Sequence, residues 1–307
     1  MRNGVRVLDE VGATRKRWWP AMAAACALAA GLLAGCAPAG VDGNFTDDWP
    51  ALSEPKIFTP ESDVCHASGY KPEGPASTYE TVDCAKSHGT ETVHVGTFRG
   101  ENGAGDTPPG DNTPAVRAAY TDCEQAARDF LGDDWRAGKL WLGITLPSDK
   151  AWSGGARWYR CDLIEVTSKD DDTPVARTAS LKDGLRGDRP VGFGCYQVTS
   201  KNDVVEEMKP LSCTQSHNAE FVGVYVPPDT AYVKLDDARW NSYHTACRNL
   251  MAKYIGISAA KAKNVGSVAS PFSQEEWERG NRGVRCHVWL EDKRTSKSLK
   301  GAGSVPS

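Results

Sequence analysis

Two polar pairs recur at matched spacing in this 307-residue chain: His88 with Glu91, and His217 with Glu220. Each follows a cysteine in the pattern Cys-x3-His-x2-Glu, from Cys84 and from Cys213. An imidazole oriented by a carboxylate can act as a general base or ligate a metal. Zinc could be imagined from Cys84 and His88. A zinc cysteine must stay a thiolate, however, whereas an even set of exported cysteines is oxidised. Further histidines do not fall at matching positions: His66 and His94 stand in the first half, His244 and His287 in the second. The preferred reading is structural, with each His and Glu bonding local backbone after a cysteine turn, and no metal or cofactor is expected. Arg157 and Arg282 form a second candidate set. Each could hold an anionic group of a partner or pair with nearby acids to hold a turn. Trp152 and Trp277 recur beside glycines, where such residues pack a turn against a core. No Gly-x-Ser-x-Gly elbow, His-Glu-x-x-His, Walker loop, Rossmann fingerprint or Cys-x-x-Cys is present.

The elements that position these residues are legible from eight cysteines. Cys65, Cys84, Cys123 and Cys161 are separated by 19, 39 and 38 positions, and Cys195, Cys213, Cys247 and Cys286 by 18, 34 and 39. Trp152, Gly155, Arg157, Arg160 and Cys161 are matched in register by Trp277, Gly280, Arg282, Arg285 and Cys286. The third cysteine of each half lies on a helix. Thr113 caps the first with Pro114 following and Gly132 as stop; Asp236 or Asp237 caps the second, with Gly256 as stop. Val116, Tyr120, Cys123, Ala127 and Phe130 share one face, as do Trp240, Tyr243, Cys247, Leu250 and Tyr254. The fourth cysteine lies on a strand in which Tyr159, Cys161 and Leu163 alternate with Arg160 and Asp162. Four cysteines allow three pairings. The two inward faces favour helix-to-strand bridges Cys123–Cys161 and Cys247–Cys286, leaving Cys65–Cys84 and Cys195–Cys213. The expected fold is α+β: two repeated small domains, each a mostly antiparallel sheet on one main helix, stapled by two disulfides.

Residues 1–35 read as a lipoprotein signal peptide. Arg15-Lys16-Arg17 precedes an apolar run from Ala21 to Leu33, too short for an ordinary membrane span, and Leu33-Ala34-Gly35-Cys36 is a lipobox that would be lipidated at Cys36. The segment carries five Lys/Arg and two Asp/Glu, so its removal takes the formal net charge from −4 to about −7. That acidic balance carries no basic footprint for nucleic acid. The organisation expected beyond the signal is a lipid-proximal tether at 36–55, a first domain at 56–166, a polar linker at 167–190 with Asp170-Asp171-Asp172, a second domain at 191–292 and a disordered tail at 293–307. The loop from Gly100 to Asn112 is the main insertion of the first half.

These residues resemble the actinobacterial septum formation domain family. The resemblance lies in the Cys start, the Cys-x3-His-x2-Glu segment, the helical Cys and the Trp-x2-Gly-x-Arg ending before the last Cys. It implies an envelope protein with two copies of the domain and a link to division septa. The expected function is a non-catalytic lipoprotein, anchored on the extracytoplasmic face of the membrane, whose partners are envelope proteins or cell-wall polymer. The alternative is a cell-wall-modifying enzyme using a His/Glu site. His88, Glu91, His217, Glu220, Arg157 and Arg282 are the candidate partner-binding residues.

Overall fold

In the computed structural model, which describes residues 56–72, 79–168, 173–202 and 204–306, the motif residues lie on two antiparallel five-stranded sheets. The first contains β1 (Val64–His66), β2 (Thr81–Val82), β3 (Thr90–Thr97), β4 (Leu140–Thr145) and β5 (Trp158–Glu165), ordered β2-β1-β3-β5-β4. The second contains β6 (Cys195–Lys201), β7 (Val204–Leu211), β8 (Ala219–Tyr225), β9 (Gly266–Pro271) and β10 (Val284–Trp289), ordered β7-β6-β8-β10-β9. Raising each strand number of the first sheet by five gives the second. Among the described residues there are also five helices: α1 (Pro114–Leu131), α2 (Asp149–Ser153), α3 (Asp237–Ile255), α4 (Ala259–Ala262) and α5 (Gln274–Arg279). None is long and apolar enough to cross a membrane. Residues 1–55, with the signal, Cys36 and the tether, lie outside the described residues.

Local chemistry sets the helix ends. Thr113 accepts the Val116 N–H and Asp236 accepts the Arg239 N–H, each satisfying an orphan donor of the first turn. Gly132 and Gly256 stop α1 and α3 at φ of 89° and 82°, a backbone region that a Cβ disfavours. Each long helix buries its cysteine against its sheet. Cys123 bridges to Cys161 with Cα atoms 5.3 Å apart, and Cys247 to Cys286 at 5.1 Å. Cys65–Cys84 and Cys195–Cys213 staple the first strand of each sheet to the loop entering the third.

Two expectations are corrected. First, residues 167–190 are not a free linker and 293–307 are not a disordered tail. Leu181, Leu185 and Leu299 are all buried, because each segment is drawn back onto its own sheet by backbone pairing, Arg177 with His88 and Thr295 with His217. The Asp170–Asp172 run lies outside the described residues. Second, Lys56–Ser307 is one compact unit. A single cluster of buried side chains runs from Leu131 and Trp135 through Leu140 to Tyr196, Phe221 and Val268, so it draws on both sheets. The Gly100–Asn112 insertion joins this contact, with Asp111 paired to Arg279 and Asn112 to Glu278. On β5, Arg160 and Asp162 are buried as well as the cysteine face, because this interior strand is covered on both faces.

Arg136 is the polar centre of the contact between the sheets. Its side chain is 1% exposed and pairs with Glu124 and Asp134 of its own half. Its Nε donates to Asn281 Oδ1 at 2.5 Å, and Arg285 Nε donates to its carbonyl at 3.1 Å. Gly283 is required opposite, since a Cβ there would collide with the Arg136 side chain.

Candidate functional site

His88 and His217 are 1% and 0% exposed, and Glu91 and Glu220 are as deeply buried. In each pair the cysteine turn aims the imidazole inward. His88 Nδ1 faces the Lys86 carbonyl at 2.8 Å and Nε2 faces Glu91 Oε1 at 3.1 Å. His217 repeats this with the Gln215 carbonyl at 2.7 Å and Glu220 Oε1 at 2.9 Å. Both nitrogens of each ring are turned toward the chain's own oxygens, so neither faces a substrate.

Each carboxylate in turn grips a later stretch of chain. Glu91 accepts Leu181 N–H at 2.7 Å and Ser180 Oγ–H at 2.7 Å. Glu220 accepts Leu299 N–H at 2.7 Å, Ser298 Oγ–H at 3.0 Å and Tyr254 O–H at 2.9 Å. The gripped residues are the same tripeptide, Ser180-Leu181-Lys182 and Ser298-Leu299-Lys300. Sequence reasoning missed these straps. The repeated Ser-Leu-Lys was the available signal, and it lay in segments set aside as linker and tail.

The same corner carries the donor set that a metal would need. Cys65, His88 and Glu91 place one ligand atom each within 4.8 Å of one another, as do Cys195, His217 and Glu220. Both cysteines are in bridges, with Cys84 and Cys213. A disulfide sulfur lacks the thiolate charge that zinc binding uses, and the His and Glu atoms are already bonded. The set fits a latch better than a metal centre.

Arg157 and Arg282 lie at the other end of the strands. Glu91 pairs with Leu163, whereas Phe98 N–H bonds the Arg157 carbonyl beyond the far end of the β3–β5 ladder. Arg157 donates to the carbonyls of Gly103 at 2.6 Å and Trp152 at 2.7 Å and stacks on the Trp152 ring at 4.1 Å. Arg282 pairs with Asp229. Trp152 Nε1 donates to Gly105 O at 2.7 Å and Trp277 Nε1 to Thr230 O at 2.9 Å. In both halves, then, the Trp-x2-Gly-x-Arg turn ties down the loop after the third strand.

The second faces of the sheets differ. In the first, Asp162 accepts from Thr92 Oγ1 at 2.7 Å, Thr145 Oγ1 at 2.9 Å and Arg160 Nε at 3.0 Å, and His66 Nε2 lies 2.9 Å from Thr92 Oγ1. At the corresponding ladder positions the second sheet has Tyr196, Phe221 and His287 in ring contact. Burial first, then the Arg160 charge, lowers the pKa of His66 below the ordinary 6.5. The folded chain thus keeps this ring neutral where the unfolded chain takes a proton. Stability contributed here is expected to decline as pH falls through about 6.5 and to level off below the folded value. Melting temperature against pH should be flatter over that range for His66→Gln; an identical slope would contradict the assignment.

Among known families, septum formation matches this chain over residues 63–286, well over half its length. No curated protein and no solved structure matches it.

Proposed function

The chain belongs to the septum-formation family, and on that premise we propose that it is a non-catalytic envelope lipoprotein built from two copies of one small disulfide-stapled domain. Its role is related to the division septum, and its joined sheets form an interaction module for other envelope proteins or wall polymer. One observation carries the non-catalytic reading: the only polar pairs that recur, His88–Glu91 and His217–Glu220, are buried and spent on the chain's own straps. That use disfavours the wall-modifying enzyme, which needs one of these histidines open to substrate. The matching strand orders support a duplication, and four bridges suit an oxidising compartment. Partner contact then falls to exposed residues rather than to the six sequence candidates.

In this reading Cys36 carries palmitate and anchors the chain to the extracytoplasmic face of the membrane. Metabolic labelling with a fatty-acid analogue should mark the wild-type protein. Cys36→Ala should lose the label and appear in the soluble fraction. A wild type that takes no label, or a variant equally retained by the membrane, would refute the anchor. Pull-down of envelope proteins and wall material with the oxidised ectodomain tests the interaction module. Capture of neither, together with turnover of wall fragments that His88→Ala or His217→Ala abolishes in a still-folded protein, would favour the enzyme.

A further inference from the structure

Strand β8 is paired along its whole length on one edge only. β10 runs beside it as far as Tyr225, whereas β6 accompanies it only at Ala219 and Glu220. One further bond, from Phe221 N–H to the Gly194 carbonyl at 2.9 Å, closes that side. The chain that leads into β6 is drawn off to the first half, where Gly192 pairs with Gly138 and Phe193 N–H bonds the Ala137 carbonyl at 2.9 Å. Val222, Gly223, Val224 and Tyr225 are therefore only half-buried, and among the described residues no strand pairs with them on the β6 side. In an antiparallel pair, alternate residues turn their N–H and C=O away from the partner. This stretch thus presents unpaired backbone groups, a template for one more strand.

The open edge borders a groove of about 610 Å3, lined by Phe221, Val222, Gly223, Val224 and Val226. Side chains of a strand alternate between its faces, so four consecutive lining residues place the groove along the edge and not on one face. At ~3.3 Å per residue, Phe221 to Val226 spans about 17 Å, the length of a strand of about five residues. Charge selects the occupant. The first half contributes Asp133, held by Arg189 at 2.8 Å, and Asp134, held by Arg128 at 3.0 Å and by the buried Arg136. Both acids are already taken. Lys300 also lines the groove, is exposed, and has no ion pair among the described residues. A basic segment would have to compete for the acids, whereas an acidic one meets Lys300 and breaks nothing.

We infer that the free edge of β8 takes up an extended segment of a partner protein as an added strand, apolar along its length and carrying an acidic side chain for Lys300. Main-chain bonds supply affinity in this mode of recognition, and side chains supply selectivity. This rests on the envelope-protein form of the interaction module. The test is an anisotropy titration of the fluorescein-labelled, amidated peptide Val-Thr-Val-Glu-Val with the full oxidised chain. The wild type should bind saturably, and hydrogen exchange should slow at amides within Val222–Tyr225. Exchanging the peptide's Glu for Lys should weaken binding at least five-fold. Lys300→Glu and Val226→Glu should do the same with melting temperatures unchanged, since both residues are exposed. N-methylation of one set of alternate peptide amides should abolish binding, because it removes strand bonds and keeps every side chain. No saturable binding, equal binding of the Lys peptide, or binding that survives methylation of either set would each overturn the added strand. Capture of envelope proteins that both variants leave intact, with no peptide bound, would overturn the added strand alone, with the interaction module standing. Peptide binding lost on methylation, with no envelope protein captured by the wild type, would support the added strand and sink the envelope-protein reading.

Discussion

Glu220→Ala is expected to destabilise the protein by about 3–5 kcal/mol, because several buried donors lose their acceptor at about 1–3 kcal/mol each. The carboxylate is fully buried and accepts from His217, Leu299, Ser298 and Tyr254. Its loss strands four donors at once and leaves the His217 ring without its acidic partner. The strap after β10 should then detach. Urea unfolding followed by Trp fluorescence gives the loss in stability, and limited proteolysis between Lys293 and Lys300 reports the detachment. Glu91→Ala should act alike, with new cleavage between Arg177 and Lys182. Tyr254 has Phe130 as its counterpart, so Glu91 lacks the phenol contact, but Arg177 Nε lies 3.7 Å away in partial compensation. His88→Ala and His217→Ala should cost less, about 1–3 kcal/mol each. Unchanged midpoints in all four variants, combined with lost partner binding, would make these pairs a site and not a latch.

The second large effect belongs to Arg136. Arg136→Met preserves much of the volume but withdraws the charge that faces Glu124 and Asp134, and it breaks the bond to Asn281. Burial already raises the pKa of Asp134 and lowers that of Arg136, so each ion is held against a desolvation penalty by its neighbours. A loss of about 3–5 kcal/mol follows from leaving the acids behind. Because Arg136 ties the first sheet to Asn281 and Arg285 of the second half, the cooperativity should suffer as well. The wild type should unfold in one transition and Arg136→Met in two. Two transitions already present in the wild type would contradict the shared core.

The sequence exposed the elements through their strongest local chemistry. Thr113-Pro114 and Gly132 bounded α1 because a side-chain cap and a left-handed stop depend on residues within one turn. The helix and strand cysteines could be paired because a 3.6-residue and a 2-residue period each pointed one sulfur inward. The second faces of the sheets were not legible. Alternation along β5 set Arg160 and Asp162 opposite the cysteine face without showing what covers them, and only the partners Thr92, Thr145 and His66, brought in from three other strands, explain their burial. The straps failed for a related reason. Ser180 and Ser298 sit in polar segments whose order depends on a carboxylate about 80–90 residues upstream, a distance at which composition carries no signal. His88, Glu91, His217 and Glu220 were singled out correctly as the repeated polar residues, but the chemistry they perform is on the chain itself.

The latches also set an order. The chain reaches the oxidising compartment from its N-terminus. Every bridge in a half has both cysteines out before its strap arrives: Cys161 precedes Leu181, and Cys286 precedes Leu299. The sheets can therefore be covalently stapled while Glu91 and Glu220 still lack their last donors. Each half can pass through a closed but unlatched state, in which its buried acid is open to whatever peptide lies nearby. A second molecule's Ser-Leu-Lys segment would then compete with the chain's own, so the final residues of each half decide whether nascent copies remain separate or become entangled.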